Sequence, residues 1–238
     1  MVQRHSIILW KKAEHKDKKY EEISKEAYNI LSLFQDYPQE LKPNYLSVKS
    51  KKDAKEFAWN YENFNSVLKK GINREGENIF EDLGYSISFF SSMEEKKSCA
   101  FQMNVGNKNN KFYNTFIIDL PLSLNLYDKK IADTIRSLFE KLVQFYIPYW
   151  GCISNKVLSR KYGNFLDGNL PTTVHWMNYW SEDIIEMIGM RKIQKIVDQN
   201  SIISFQKGVL SIKDTAFDVD KEEDLKYHDE LQNYLFIQ

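Results

Sequence analysis

The chain is 238 residues long, carries 33 Lys and Arg against 33 Asp and Glu, and is 14% aromatic. A formal net charge of zero argues against phosphate as the main partner, because a generic nucleic-acid binder carries a basic excess. Two cysteines, Cys99 and Cys152, are too few for a disulfide framework and lack the spacing of a metal site, so they read as small hydrophobes in or near strands.

Ser6 to Trp10 reads as a first strand. It is too short for the apolar core of a signal peptide, and no stretch approaches the ~20 apolar residues of a membrane span, so the expected location is the cytoplasm. A helix follows with Tyr20, Ile23, Ala27, Leu31 and Phe34 on one stripe, at steps of three and four. Pro38 and Pro43 punctuate the connection. A second helix is expected from Asp53 as N-cap with Glu56 three residues on, carrying Phe57, Tyr61, Phe64 and Leu68 and ending at Gly71.

A β region comes next. Leu83, Tyr85, Ile87 and Phe89 alternate with small polar residues, as do Cys99, Phe101, Met103 and Val105 with Ala100, Gln102 and Asn104. The Ser91–Ser98 connection suits an antiparallel hairpin. Thr115 to Leu120 forms a third strand, whose Phe116-Ile117-Ile118 suits a position covered on both sides, and Pro121 closes it. The clearest helix carries Ile131, Ile135, Leu138, Leu142 and Phe145, with Asp128 as N-cap and Pro148 as stop. Trp150 to Ile153 returns toward the sheet. Gly163, Gly168 and Pro171 mark a loop, Val174 to Trp180 a strand, and Ser181-Glu182-Asp183 a helix start. Ile202 to Phe205 and Val209 to Ile212 flank Gln206-Lys207-Gly208, a three-residue hairpin connection, and a closing helix from about Lys221 carries Tyr227, Leu231 and Tyr234. The expected fold is a single α+β domain over residues 1–238, a mainly antiparallel sheet with helices packed against it.

Four short words stand at strand and turn boundaries in the middle third: Asn73-Arg74 with Gly76, Leu83-Gly84-Tyr85-Ser86, Asn114 leading to Leu120-Pro121, and Pro148 with Trp150-Gly151. As a set, with Gly106 between them, they resemble the immunity protein 52 family of bacterial polymorphic toxin systems. Val174 to Ser181 and Gly208-Val209-Leu210 are similar to that family's later strand and hairpin. The chain departs from the pattern at Phe89-Phe90-Ser91-Ser92, where the family commonly has Trp-Asn. The resemblance implies a non-catalytic protein that guards a bacterium against a cognate toxin, often a restriction-endonuclease-like nuclease. It carries no toxin-contact residue onto this sequence.

Candidate binding residues come from the residue types themselves. Asp218 and Asp220, within the acidic stretch Asp214–Asp224, could meet the basic surface with which a nuclease grips phosphate; Glu75, Glu77, Glu81 and Asp82 form a second such patch. Solvated acids at a helix start are the plainer reading of the first. Tyr162, Phe165, Asp167, Tyr179 and Trp180 lie in or beside the irregular 160–171 loop, where binding residues concentrate. His175, beside Trp176 and Asn178, supports an alternative reading as the centre of a hydrolase or transferase site, and a non-toxin interaction module is the third. Trp150 and Trp176 read as core anchors. No cofactor or metal is expected, and the expected partner is the toxin protein, without direct nucleic-acid or membrane binding.

Overall fold

A computed structural model describes residues 3–163, 166–167 and 170–236, without the side chains of 166 and 167. The chain is α+β, as its alternating and three-to-four-spaced segments require. Every strand pairing whose register is resolved is antiparallel. In chain order the elements are β1 (His5–Lys11), α1 (Tyr20–Ser32), β2 (Tyr45–Leu46), α2 (Tyr61–Lys70), β3 (Arg74–Glu75), β4 (Asn78–Ile79), β5 (Tyr85–Phe90), β6 (Ala100–Val105) and β7 (Asn114–Asp119). Then come α3 (Lys129–Tyr146), β8 (Trp150–Asn155), α4 (Lys156–Tyr162), β9 (Leu166–Asp167), β10 (Leu170–Pro171), β11 (Met177–Trp180), α5 (Glu182–Ile188), α6 (Met190–Gln199), β12 (Ser204–Gln206), β13 (Val209–Ser211) and α7 (Glu222–Phe236). The packing divides the chain into two compact units, Met1–Leu9 with Leu124–Gln238, and Trp10–Ser123.

In the Trp10–Ser123 unit the strands run β7-β6-β5-β2. α1 buries Ile23, Ala27, Ile30 and Leu31 along one face, the stripe its spacing predicts. The second helix begins later than Asp53 implies. Asp53 closes a short 3-10 turn, the next residues are extended, and Glu56 bridges to Tyr45. Asn60 is the real cap: its side-chain oxygen accepts from the Asn63 amide at 2.8 Å. Phe57 therefore lies off the helix, where its ring meets Trp59 and Phe89 at 5.3 and 5.1 Å between centroids. Phe64 and Tyr28 complete this aromatic cluster. β7 is buried on alternate residues only, so Ile117 is half-exposed rather than covered on both sides.

In the other unit the strands run β12-β13-β11-β8-β1. α3 starts where Asp128 predicts, with its carboxylate accepting from the Ile131 amide at 3.1 Å. Its stripe ends one residue late: Tyr146 is buried and Phe145 is exposed, because the 3.6-residue turn has rotated position 145 out of the core. Trp150 and Trp176 are core residues, as expected, and so is Trp180. β11 covers only Met177–Trp180. Upstream, the Asn178 side chain folds back to bond both the amide and the carbonyl of His175, while the Trp176 carbonyl still accepts from the Ile212 amide at 3.0 Å. The β12–β13 hairpin has a two-residue connection, Lys207-Gly208, shorter than expected: Gln206 pairs with Val209, and both loop residues have positive φ. Cys99 and Cys152 are both buried. No described helix is long and apolar enough to cross a membrane.

Candidate functional site

The Asn73-Arg74-Glu75-Gly76 word builds a small hairpin in the Trp10–Ser123 unit. Arg74 pairs with Ile79 and Glu75 with Asn78, leaving Gly76-Glu77 as the two-residue turn. Gly76 has φ of +60°, the geometry of a hairpin turn with glycine first. Asn73 fixes the base of the arm. Its side-chain amide donates to the carbonyls of Leu83 and Gly84 at 2.8 and 3.1 Å, and its own carbonyl accepts from the Phe80 amide at 2.9 Å. The arm itself stands in water: residues 74–82 are all exposed, Ile79 by 56% and Phe80 by 41%.

Glu75, Glu77, Glu81 and Asp82 all lie on this segment, and none enters an ion pair among the described residues. Like charges gathered on one short exposed segment repel, and a partner bringing positive charge relieves that repulsion. The four acids are legible in the sequence. Ile79 and Phe80, which give the patch its apolar centre, are not, since two residues are too few to show a period.

The second acidic stretch is spent on structure. Asp218 accepts from the Gln3 side chain at 2.9 Å, and the Asp218 amide donates to Asp224 at 2.8 Å. Asp224 also pairs with Lys213, and Asp214 with Lys129 at 3.2 Å. Asp220 accepts a longer bond from Gln3 at 3.4 Å. These carboxylates tie residue 3 to the start of α7.

His175 is 0% exposed. Burial, with the neighbouring His228 adding to it, lowers its pKa to about 3, so the ring is neutral at physiological pH. His228 is also buried and shares its Nε2 with the Val174 carbonyl at 2.8 Å. Gln232 reads the same strip of backbone, accepting from the Val174 amide and donating to the Thr172 carbonyl. A catalytic base must come within about 3 Å of the proton it takes. The ring is sealed in this packing, so the His175-centred reading gains no geometric support from the described residues. Tyr162 donates its hydroxyl to Asp229, which also pairs with Lys161 at 3.0 Å. Phe165 lies outside the described residues, and Asp167 is placed by its backbone alone, in β9 opposite Leu170.

Tyr179 and Trp180 both line a groove of about 850 Å³ at the end of β11, beside the β12–β13 hairpin. Glu182, Ile185 and Glu186 of α5 and Met190 of α6 form one wall; Phe205 and the Lys207-Gly208 turn form the other. Trp180 is fully buried beneath it, while Met190 is exposed. Burial, and then the charge of Glu182, raises the Tyr179 phenol pKa. Gly208 is required here: a Cβ would sit 2.7 Å from the Trp180 carbonyl oxygen and 2.9 Å from the Tyr179 ring. Glu186, Met190 and Phe205 carry no signal in the sequence, because the topology alone brings them beside Tyr179.

No protein-family model matches the chain, and no curated protein sequence does. The resemblance set out above therefore rests on its motifs. Among solved structures, the T6SS protein PA0821 of Pseudomonas aeruginosa has the same fold: the match covers 99% of this chain and 73% of that one, with a TM-score of 0.63 at 11% sequence identity. At that identity the likeness is one of fold.

Proposed function

We propose that the chain is an immunity-type protein that binds a cognate bacterial toxin and covers its active or substrate-binding surface. The observation that carries this reading is the β3–β4 arm, where four carboxylates without ion pairs among the described residues share one exposed segment with Ile79 and Phe80. A nuclease grips phosphate with basic residues, and an acidic arm steers toward such a surface and speeds capture. Ile79 and Phe80 supply the apolar anchors on which binding energy concentrates. A nuclease toxin is the partner class the charges fit best. Support also comes from the motif set of the middle third and from the fold shared with a T6SS protein.

The mechanism is occlusion. An interface of roughly 1,200–2,000 Å² blocks the toxin with no bond made or broken by the guard's side chains. The test is co-expression with the product of the neighbouring gene, the expected toxin, scored by growth and by isolation of the complex. The intact chain restores growth. The triple variant Glu75→Lys, Glu77→Lys, Glu81→Lys folds normally and does not. Rescue by both proteins would move the interface off the arm; rescue by neither, with no complex formed, would remove the reading.

A further inference from the structure

β12 stands at the end of its sheet, and its outward edge is unsatisfied. The hydrogen bonds between β11 and β13 fix which way each backbone group points. Trp180 donates to the Gly208 carbonyl at 2.9 Å and Ile212 to the Trp176 carbonyl at 3.0 Å, so Tyr179↔Val209 and Met177↔Ser211 are the wide, non-bonded pairs of that ladder. Leu210 therefore turns its amide and carbonyl toward β11, and Val209 and Ser211 turn theirs toward β12. The β12 residues opposite them, Gln206 and Ser204, are satisfied. Phe205, opposite Leu210, points its N–H and C=O away from β13. Neither group has a hydrogen-bond partner among the described residues.

Hollows flank this edge on both faces of the sheet. On one face, Phe205 borders the groove walled by Glu182, Glu186 and Met190. On the other, Ser204 and Gln206 border a hollow of about 270 Å³ walled by Arg136, Glu140 and Gln144 of α3. An extended chain laid along β12 would alternate its side chains between the two.

We propose that the β12 edge docks an extended segment of another protein, which joins the sheet as an added strand. The residue opposite Phe205 exchanges two backbone hydrogen bonds with it and sets an apolar side chain against Met190 and Phe205. The residue two positions on is basic and meets Glu182 and Glu186, both exposed at the rim. Residues between them are small and polar and face the α3 hollow. Backbone bonding holds the segment, and the two hollows choose its sequence. The site lies in the Leu124–Gln238 unit, the acidic arm belongs to the other, and the proposal does not depend on the toxin reading.

The probe is the capped peptide Thr-Val-Thr-Leu-Thr-Arg-Thr, added to the full isotope-labelled chain and followed by NMR. On saturation the Phe205 amide shifts and its exchange with solvent slows, and the Trp180 indole resonance moves with it. Methylating the peptide's Leu nitrogen removes one edge hydrogen bond and weakens binding about tenfold or more. Phe205→Pro deletes the outward N–H without deleting any β12–β13 bond and weakens binding similarly. Should that variant not fold, Glu186→Lys serves instead: it weakens the Arg peptide and favours the same peptide with Glu in place of Arg. An unmoved Phe205 amide at millimolar peptide, equal binding of the methylated and parent peptides, or indifference of Glu186→Lys to the peptide's charge would each overturn the proposal.

Discussion

Gly84 sits at φ +69° and ψ −141°, a backbone conformation that L side chains do not adopt, and a Cβ there would lie 2.1 Å from the Val105 carbonyl oxygen. Strain and overlap fall on the same atom, so Gly84→Ala is expected to cost at least ~2 kcal/mol, read as a lower midpoint in urea unfolding. This places the Leu83-Gly84 word in the folding of the sheet, at the foot of the acidic arm. The buried imidazoles give a second prediction at this scale. Burial lowers His5 to a pKa of about 4 and, with His228 adding to it, His175 to about 3. Both lie below the ordinary histidine value near 6.5, so the unfolded chain takes up protons first as the pH drops. Their contribution is complete above about pH 6.5 and declines toward pH 3–4, by about 2 kcal/mol for each ring at pH 5. Unfolding curves at pH 7 and pH 5 should show this loss, and His175→Gln should remove one ring's share of it.

Among the elements, α3 and α1 were legible because an apolar stripe repeated over several turns, and a cap marked the start of α3. The β5–β6 pair was legible through its alternation. Misreadings occurred where local chemistry imitates a signal or is too short to carry one. Asp53 with Glu56 has the residue types of a capping box, yet the chain there is extended, and Asn60 does the capping. Asn60→Ala should cost α2 about 1 kcal/mol, while Asp53→Ala should leave the unfolding midpoint within experimental scatter. The β3–β4 arm offered only an Asn-Arg-Glu-Gly word, and its strands are two residues each. Its acids could be named from the sequence, but its apolar centre required the turn at Gly76 to bring residues 74–79 into a hairpin. The Tyr179 groove was half legible: Tyr179 and Trp180 could be named, whereas Met190 and Phe205 join them only through the order of strands and helices. Trp180 also shows that a tryptophan beside a loop need not be an exposed anchor, since here it supports the groove from below.

At the scale of the whole molecule, the aromatic rings are divided between work inside and work outside. Clusters such as Tyr28, Trp59, Phe64 and Phe89 are internal to the Trp10–Ser123 unit. Phe80, exposed on the same unit, has no such role and stands among carboxylates. A molecule with zero net charge can still steer a basic partner when acids are gathered on one arm. The double variant Ile79→Ala, Phe80→Ala should therefore weaken toxin binding by tenfold or more, roughly the cost of losing one central anchor, and leave the melting temperature unchanged. The charge-reversed arm should act mainly on the association rate, and its effect should shrink as salt is raised.

The most direct test of the account is the affinity of the purified chain for the product of the neighbouring gene, the proposed toxin, measured for the intact protein and for the protein with residues 74–80 replaced by a short neutral turn. Tight binding by the intact chain, strongly weakened in a well-folded loop replacement, is the result the account predicts. Equal binding by the two proteins, or no binding by the intact chain to a toxin that remains active in its presence, would contradict it.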